Sequence, residues 1–357
     1  MSVSTQAQPH PASPLLQTDG KRLPAAAVTP LVSAPPITAA GIHPRNEGRP
    51  LDLGWVNQVR VNLSAAERRV ATLPGRRTVK KDAQAAWLLK AVSCIDLTTL
   101  SGDDTTERVR RLCAKAKSPV RPDILAALGL ADRDLTTGAV CVYHRFVATA
   151  VEALRDSRVP VAAVSTGFPA GLVPHDLKLR EIEASIRDGA GEIDIVITRE
   201  HVLTGNWQAL YDEMRDFRAA CGPAHVKAIL ATGDLKTLRN VARASLVCMM
   251  AGADFIKTST GKESVNATLL VTLIMLRMIR AYQERTGFKV GYKPAGGIST
   301  AKDVLNYQFL MKEELGRPWL EPDLFRIGAS SLLADIERQL EHYVTGRYSA
   351  FNRHPVG

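Results

Sequence analysis

The feature that most constrains the fold is an alternation of short apolar segments with longer segments of helical periodicity. The apolar segments are rich in β-branched residues and recur eight times between residues 94 and 327. Strands of a parallel sheet that are buried on both faces have this composition. Eight strands, each followed by a helix, over about 250 residues predict a (β/α)8 barrel, the TIM-barrel form of an α/β fold. The predicted strands are 94–100, 139–146, 159–166, 192–198, 225–231, 255–259, 290–293 and 324–327.

A doubly wound open sheet is the alternative arrangement for strands that alternate with helices. That fold usually carries a glycine-rich phosphate-binding turn after its first strand. The first predicted strand here ends in Asp-Leu-Thr-Thr-Leu at residues 96–100, without a glycine. We therefore expect the barrel, and we expect its chemistry at the carboxyl ends of the strands, where such barrels place their catalytic side chains.

The chain divides into three predicted parts. Residues 1–50 are rich in Pro, Ala, Ser and Thr with little periodicity, which predicts a disordered or loosely attached extension. Residues 51–350 form the predicted barrel. It begins with an extra N-terminal helical segment over 51–73, in which Ser64 is the expected N-cap. Residues 351–357 form a C-terminal tail.

The net charge of +10 first suggests a nucleic-acid partner. However, the basic excess is concentrated in the first 90 residues, and later basic residues are mostly interleaved with acidic ones. Such a distribution is typical of a solvated surface. We therefore expect no nucleic-acid partner, and a small anionic substrate is the other interpretation of the charge.

Five cysteines, none of them in a Cys-x-x-Cys pair, argue against a disulfide framework or a zinc site and for a reducing compartment. No apolar stretch reaches membrane-spanning length, and residues 1–17 lack the apolar core of a signal peptide. We expect a soluble, cytoplasmic protein with no membrane partner. A homo-oligomer is compatible with the sequence, which leaves the oligomeric state open.

Charged or reactive side chains interrupt six of the predicted strands. A strand that is buried on both faces should be almost wholly apolar. Taken singly, an aspartate can cap a backbone group, a cysteine can fill the core and a lysine can extend its amine to the surface. As a set inside a barrel, they would carry a large desolvation cost unless they pair and converge on one pocket. The residues are Asp96, Cys141, Asp194, Lys227, Lys257 and Lys293.

Two of these lysines each end an apolar run and precede a turn that contains glycine. Lys257 lies in Phe-Ile-Lys-Thr-Ser-Thr-Gly-Lys at 255–262, and Lys293 lies in Val-Gly-Tyr-Lys-Pro-Ala-Gly-Gly-Ile at 290–298. Burial disfavours the ammonium form, and a second ammonium nearby lowers the pKa further. A free amine attacks aldehydes and forms a Schiff base. The pair therefore predicts imine chemistry, with Lys257 as the nucleophile and Lys293 as the cation that lowers its pKa.

Asp194 is the expected partner of Lys293, and it would relay protons through water at the carbon that is deprotonated or protonated. Lys227 would complete a charge network with Asp96 and Asp194. No metal or other cofactor is expected, because the protonated imine on Lys257 is itself the electron sink. The histidines also lack the spacing of metal ligands.

A phosphate site is predicted in the loops after the last two strands. Barrels bind phosphate there through backbone N–H groups at a helix N-terminus, and glycine permits close approach. Two ordinary turns would have the same composition, but their joint position favours phosphate. The loop after the sixth strand could form a further side. The predicted residues are Thr260, Gly261, Lys262, Gly296, Gly297, Gly328, Ser330 and Ser331.

These segments together resemble the deoxyribose-phosphate aldolase family. The resemblance covers residues from about 51 to 348, with its motifs in the same order. The N-terminal extension and the ending at 344–348 resemble the longer form of the family found in animals and some bacteria. The segments that carry the resemblance are DLTTL at 96–100, EIDIV at 192–196, FIKTSTGK at 255–262, KPAGGI at 293–298 and RIGASSL at 326–332.

The resemblance implies a class I aldolase that reversibly cleaves 2-deoxy-D-ribose 5-phosphate to D-glyceraldehyde 3-phosphate and acetaldehyde, in deoxyribonucleoside catabolism. By motif, Lys257 takes the Schiff-base position, Lys293 the pKa-lowering position and Asp194 the proton-relay position. Asp96, Cys141 and Lys227 align with residues that line the same pocket. Gly296, Gly297, Ser330 and Ser331 align with the phosphate site.

One departure from the family pattern affects the phosphate site. The family commonly carries an arginine after the Gly-Gly-hydrophobic step, where this chain has Ser299. Loss of a cation beside the phosphate would weaken its binding. We therefore hypothesise a relaxed preference for phosphorylated over unphosphorylated substrates.

Two other functions remain open at this point. Another imine-forming barrel enzyme, such as a transaldolase or a keto-acid aldolase, would act on a ketose or a keto acid, and the motifs around Lys257 and Lys293 do not favour it. A non-catalytic barrel that binds phosphate-bearing ligands or nucleic acid would give Lys257 no reason to lie within a strand.

Overall fold

Eight parallel strands form one sheet in the order β7-β6-β5-β4-β3-β2-β1-β8 in this computed structural model, which describes residues 45–354. Two bridges join β7 to β8 and close the barrel, Tyr292 with Phe325 and Ala295 with Gly328. The predicted (β/α)8 barrel is thus confirmed. The strands are β1 Ile95–Thr98, β2 Ala139–Tyr143, β3 Val161–Ser165, β4 Glu192–Val196, β5 His225–Ile229, β6 Phe255–Lys257, β7 Gly291–Lys293 and β8 Ile327–Ala329.

The predicted and observed strands overlap in all eight cases, but the last strand is displaced. It was expected at 324–327, and β8 covers Ile327–Ala329. Leu324 lies in a turn, and residues 324–326 pair with β7 rather than β1, because Leu324 O accepts from Tyr292 N and Arg326 N donates to Tyr292 O. Pairing with β1 begins only at Ile327. The predicted run 324–327 therefore lies mostly before β8 and shares only Ile327 with it.

Helices alternate with the strands and cover the outside of the barrel. Short 3-10 helices also lie at His144–Phe146, Thr232–Asp234, Arg317–Leu320 and Phe351–Arg353. The α-helices are α1 Leu53–Gln58, α2 Leu63–Ala71, α3 Leu73–Arg76, α4 Lys81–Ser93, α5 Thr106–Lys117, α6 Pro122–Ala127, α7 Val147–Ala153, α8 His175–Arg187, α9 Arg199–Leu203, α10 Trp207–Cys221, α11 Leu238–Met250, α12 Leu269–Thr286, α13 Ala301–Leu315 and α14 Leu332–Thr345. Among the described residues, none of these helices has the length and apolar character needed to span a membrane.

Within the described residues, four helices precede β1, so the extra N-terminal helical segment is present and extends to residue 93. They pack against α11–α14 on the outside of the barrel. The expected N-cap at Ser64 is wrong. The side chain of Asn62 accepts from Ala65 N at 3.0 Å, which places the start of α2 at Leu63. Asn62 lies where the backbone is still extended, which is the geometry an N-cap requires.

The predicted extension over residues 1–50 lies largely outside the described residues. Its last six residues are packed on the barrel. The buried side chain of Asn46 donates to Met249 O at 2.8 Å and to Ala253 O at 2.9 Å, and accepts from Tyr282 Oη at 3.0 Å. The attached part of the chain therefore starts before residue 51, because one asparagine satisfies several buried polar groups there.

The predicted C-terminal tail is described as far as His354. The imidazole of His354 is buried beside Glu341 of α14, and Tyr348 stacks on His342 with ring centroids 4.0 Å apart. Because α14 follows β8 and runs back along the barrel, these residues lie at the end opposite the carboxyl ends of the strands. The described part of the tail does not reach the carboxyl ends of the strands.

The register of the sheet brings polar side chains together inside the barrel. In parallel strands, Asp194 is opposite Lys227 and Lys257 is opposite Lys293. Side chains that point inward from neighbouring strands at the same level form a layer. The apolar core lies chiefly between the barrel and its helices, whereas one end of the barrel interior is lined by charged groups.

Candidate active site

Asp194, in the middle of β4, is the centre of the charged layer. Its Oδ2 accepts from Lys257 Nζ at 2.7 Å and from Lys293 Nζ at 2.7 Å. Its Oδ1 accepts from Lys227 Nζ at 2.8 Å. All four side chains are almost completely buried. The structure therefore brings together the three lysines and the aspartate that the sequence predicted to converge.

Asp96 of β1 joins the same layer from the other side. Its Oδ2 accepts from Lys293 Nζ at 2.5 Å and lies 3.4 Å from Lys227 Nζ. Lys293 therefore bridges Asp96 and Asp194, a contact with Asp96 that was not predicted, whereas Lys227 lies against both carboxylates as the predicted charge network has it. Each of these contacts is an ion pair with little access to water, so its geometry has to compensate for a large desolvation penalty.

Two further charged residues in this network were not predicted from the sequence. Glu192 accepts from Lys227 Nζ at 2.5 Å, and Arg326 Nη2 donates to Glu192 Oε1 at 2.7 Å. Arg326 Nη1 also donates to Asp96 Oδ1 at 2.7 Å. Glu192 has a recognisable signal, because it lies two residues before Asp194 and therefore faces the same side of the strand. Arg326 lies just before β8, inside the run 324–327 that was predicted as the eighth strand, where its charge was not singled out.

The buried network contains four cationic side chains and three carboxylates. A buried site with one surplus positive charge is costly, so one lysine is favoured in its neutral form. Burial and the neighbouring ammonium of Lys293 lower the pKa of Lys257, and they outweigh the opposing effect of Asp194. The network thus singles out Lys257 as the amine.

The other lysines keep their charge. Burial acts to lower the pKa of Lys293, but Asp194 and Asp96 together raise it above its ordinary value. The pKa of Lys227 is also raised, because Asp194, Glu192 and Asp96 outweigh its burial. For the Asp194 carboxyl, burial is opposed by all three lysines, and the pKa lies well below its usual range.

Cys141 lies in β2 beside this network and packs with Ala162 and Val164 of β3 in a small apolar cluster. Tyr143 and Phe168 meet edge to face beside it, with ring centroids 5.7 Å apart. Burial raises the pKa of the Cys141 thiol, so it stays protonated at neutral pH. Cys141 therefore forms part of an apolar wall of the pocket.

The loops predicted to bind phosphate meet at the carboxyl ends of β7 and β8. The bridge between Ala295 and Gly328 joins the loop after β7 to β8 itself, where Gly328 lies rather than in the loop after it, and Gly328 N donates to Pro294 O at 2.9 Å. Gly296 and Gly297 both have a φ of +81°, a conformation that favours glycine. Ser330 and Ser331 are exposed at the start of α14, and Ser331 makes no side-chain cap. The N–H groups of that helix end are therefore open to an anion.

The loop after β6 is arranged differently from its prediction as a phosphate-binding segment. The carboxylate of Glu263 accepts from Thr260 N at 3.0 Å, from Thr260 Oγ1 at 2.8 Å and from Gly261 N at 3.2 Å. Lys262 is exposed. An internal carboxylate therefore occupies N–H groups of the loop that was predicted to form a further side of the phosphate site, and the sequence carried no signal for this role of Glu263.

No group of three or more metal-ligating side chains occurs within residues 45–354. The carboxylates of the charged layer are each paired with lysine or arginine rather than arranged around an open position. The donor set of this pocket therefore suits amine chemistry. An ammonium, a free amine and a carboxylate within hydrogen-bond distance can exchange protons with a bound aldehyde.

The fold and the lysine-centred site together define the class of protein, a (β/α)8-barrel aldolase. The chain belongs to the DeoC/LacD family of aldolases, whose profile matches residues 90–336. It is 58% identical over 313 residues to a human protein named deoxyribose-phosphate aldolase, covering 87% of this chain and 98% of the relative. A mouse protein with the same name is 60% identical over 311 residues, with the same coverage of both chains.

Solved structures agree with the fold. A putative deoxyribose-phosphate aldolase from Toxoplasma gondii superimposes with a TM-score of 0.60 at 21% identity, covering 75% of this chain and 97% of that one. A deoxyribose phosphate aldolase from Aeropyrum pernix, described as a unique tetrameric structure, superimposes with a TM-score of 0.55 at 21% identity, covering 78% and 99%. At this level of identity the likeness concerns the barrel alone.

Proposed function

We propose that the chain is a class I deoxyribose-phosphate aldolase, which cleaves 2-deoxy-D-ribose 5-phosphate reversibly to D-glyceraldehyde 3-phosphate and acetaldehyde. The observation that carries this proposal is the buried amine of Lys257, 2.7 Å from Asp194 Oδ2 and next to the ammonium of Lys293. The names of the mammalian relatives, at 58% and 60% identity, support the choice of substrate.

Imine formation begins when the neutral amine of Lys257 attacks the C1 aldehyde of the open-chain sugar. The carbinolamine then loses water and becomes a protonated imine. This loss needs a proton for the departing hydroxyl, and Lys293 is the adjacent group that stays protonated. Asp194 touches both nitrogens, so it can hold the ordered water that carries protons between them.

Cleavage of the C2–C3 bond sends its electron pair into the protonated imine, which becomes an enamine. The C3 hydroxyl gives its proton to the water held by Asp194, which then supplies the proton for C2, and C3 becomes the aldehyde carbon of glyceraldehyde 3-phosphate. Protonation of the enamine at C2 restores the imine, and water then releases acetaldehyde and the amine of Lys257. The positive nitrogen is the electron sink throughout, so the step balances without a metal or another cofactor.

The phosphate of the substrate is assigned to the loops after β7 and β8. The exposed Ser330 and Ser331 at the start of α14 and the backbone of Gly296 and Gly297 lie at the same end of the barrel as Lys257. Ser299 is exposed beside them and supplies no charge. We retain the hypothesis that this relaxes the preference for a phosphorylated substrate. A catabolic direction, a cytosolic location and a homo-oligomeric state remain predictions.

Reductive trapping tests the proposal directly. The protein is incubated with acetaldehyde and sodium borohydride, digested, and the modified peptide is located by mass spectrometry. We expect an ethyl group on Lys257, because borohydride reduces only an imine that has formed. An unmodified Lys257, or ethyl groups spread over exposed lysines, would rule out its role as the nucleophile.

A coupled assay tests the substrate. Wild-type protein should release glyceraldehyde 3-phosphate from 2-deoxy-D-ribose 5-phosphate, and it should form the sugar phosphate from the two aldehydes. A transaldolase would instead transfer a group from a ketose phosphate. If the protein turns over a ketose phosphate but not 2-deoxy-D-ribose 5-phosphate, it is a transaldolase rather than the proposed aldolase.

A further inference from the structure

The loop after β6 contains a carboxylate that is buried at the mouth of the barrel. The side chain of Glu263 is only 3% exposed. Its oxygens take up the N–H groups of Thr260 and Gly261 and the hydroxyl of Thr260, at 2.8–3.2 Å. A carboxylate that accepts several such hydrogen bonds fixes the shape of a short loop. The loop starts directly after Lys257, the last residue of β6, so it lies at the same end of the barrel as the catalytic lysine.

Arg199 is the cation that faces Glu263, and it also joins the neighbouring loops. It lies at the start of α9, after β4, and its Nη2 is 3.6 Å from Glu263 Oε1. Its Nε is 3.0 Å from Asp234 in the loop after β5. Its Nη1 donates to Ala170 O at 2.6 Å and its Nη2 to Pro169 O at 3.1 Å, both in the loop after β3. One guanidinium thus connects the loops that follow four successive strands.

The same loop also touches the predicted phosphate site. Asn266 Nδ2 donates to Glu263 O at 3.0 Å, which holds the asparagine at the end of the loop. A Cβ added to Gly296 would lie 2.6 Å from the Asn266 side chain, so the two residues are in close contact. A continuous set of contacts therefore runs from Arg199 through Glu263 and Asn266 to Gly296.

We propose that Glu263 and Arg199 are positioning residues for phosphate recognition. Glu263 acts as an internal anion that occupies the N–H groups of the loop after β6. Arg199 balances its charge and fixes the loop against its neighbours. The substrate phosphate is then bound by the loops after β7 and β8, and the ammonium of Lys262 is the part of the β6 loop that meets it. This inference rests on the proposed function, and it differs from binding of phosphate by the Thr260 and Gly261 backbone.

The direction of the effect follows from these contacts. Without the Glu263 carboxylate, Thr260 N and Gly261 N lose their acceptor, and the loop no longer holds Lys262 or Asn266 in place. The phosphate end of the substrate should therefore bind more weakly, while the imine chemistry at Lys257 is unchanged. If Glu263 merely competed with the substrate for the loop N–H groups, its removal would instead strengthen phosphate binding.

The experiment compares Glu263→Ala with wild type and with Glu284→Ala, which removes an exposed glutamate of α12. We expect the KM for 2-deoxy-D-ribose 5-phosphate to rise about tenfold in Glu263→Ala, the effect of one charge-assisted hydrogen bond, with little change in kcat. The kcat/KM for unphosphorylated 2-deoxyribose should match wild type, as should every constant of Glu284→Ala. An unchanged or lower KM for the phosphorylated sugar overturns the proposal.

Arg199→Lys provides a second variant, because it keeps the charge but lacks the planar fork that reaches several loops. It should also raise the KM for the phosphorylated sugar. The double variant with Glu263→Ala should lose no more than Glu263→Ala alone, since residues that act through one another are not additive. Fully additive losses would mean that Arg199 and Glu263 act separately, contrary to the proposal.

Two measurements separate this inference from the proposed function. Inorganic phosphate binding is followed by calorimetry, independently of turnover, and should weaken in Glu263→Ala by the factor found for KM. Acetaldehyde carries no phosphate, so borohydride trapping at Lys257 should be equal in wild type and Glu263→Ala. Absence of trapping in wild type contradicts the proposed function, whereas equal trapping with equal phosphate affinity contradicts only this inference.

Discussion

Lys257 and Lys293 donate to the same carboxylate oxygen, Oδ2 of Asp194, at the same distance of 2.7 Å. Their nitrogens therefore cannot be farther apart than twice that length. Two ammonium groups this close in a buried site are unfavourable, so one of them gives up its proton. Lys293 also contacts Asp96 whereas Lys257 does not, and this difference decides which lysine is neutral.

Lys257→Leu should abolish both turnover and the borohydride adduct, because no other amine occupies the neutral position of the network. The fold should be retained, since leucine fills the space and removal of a neutral amine leaves three cations balanced by three carboxylates. Circular dichroism and a trapping assay check this. Lys80→Leu, which removes an exposed lysine before α4, is the control. Activity near wild type in Lys257→Leu would assign the nucleophile elsewhere.

Lys293→Leu should shift the pH–rate profile to higher pH. Only the neutral amine of Lys257 attacks an aldehyde, so kcat/KM rises as pH passes upward through its pKa. Lys293 is one cause of the lowered pKa of Lys257, and its removal lets that pKa return toward the ordinary value. Lys293→Arg keeps a cation at the site, so its pH–rate profile should stay at the lower pH of wild type. Profiles that coincide for the leucine variant and wild type would exclude the assigned role.

Arg326→Met should destabilise the fold by about 3–5 kcal/mol, because it leaves Glu192 and Asp96 buried without a partner of matching geometry. In wild type, Arg326 contacts both carboxylates at 2.7 Å. The double variant Glu192→Gln with Arg326→Met should recover part of the loss, since one of the stranded charges is gone. Urea unfolding midpoints measure the effect, and an Arg326→Met midpoint equal to that of wild type would refute it.

Gly296→Ala should be more destabilising than Gly297→Ala, although both glycines have a φ of +81°. The shared backbone strain should cost about 1–2 kcal/mol in each variant. Only at Gly296 would the new Cβ meet another side chain, at 2.6 Å from Asn266, whereas at Gly297 it enters open space. The difference between the urea unfolding midpoints of the two variants measures the cost of the contact with Asn266. Equal midpoints would mean that the Asn266 side chain moves aside freely.

Ser299→Arg should increase the preference for a phosphorylated substrate. The position is exposed beside the glycines of the loop after β7, so an arginine there can reach an anion without being buried. The ratio of kcat/KM for 2-deoxy-D-ribose 5-phosphate to that for 2-deoxyribose should rise about tenfold or more, as one charge-assisted contact implies. A strong phosphate preference already present in wild type would contradict the hypothesis about Ser299.

The fold was predictable because its signal is local. Each strand is an apolar run and each helix has its own periodicity, so the order of elements follows from short windows of sequence. The same windows placed Asp194, Lys257 and Lys293 within strands. The displacement of β8 shows where such a signal fails, because an apolar run does not specify which neighbour it pairs with.

The sequence by itself determined the barrel, the residue types of an imine-forming site and the strands that carry them. The tertiary structure decided which charges pair. Arg326 contacts Glu192 and Asp96 across the barrel, and Glu263 occupies the loop N–H groups predicted to bind phosphate. These outcomes depend on the register and closure of strands that are distant along the chain. A buried charge is stabilised only by the groups that this three-dimensional arrangement places against it.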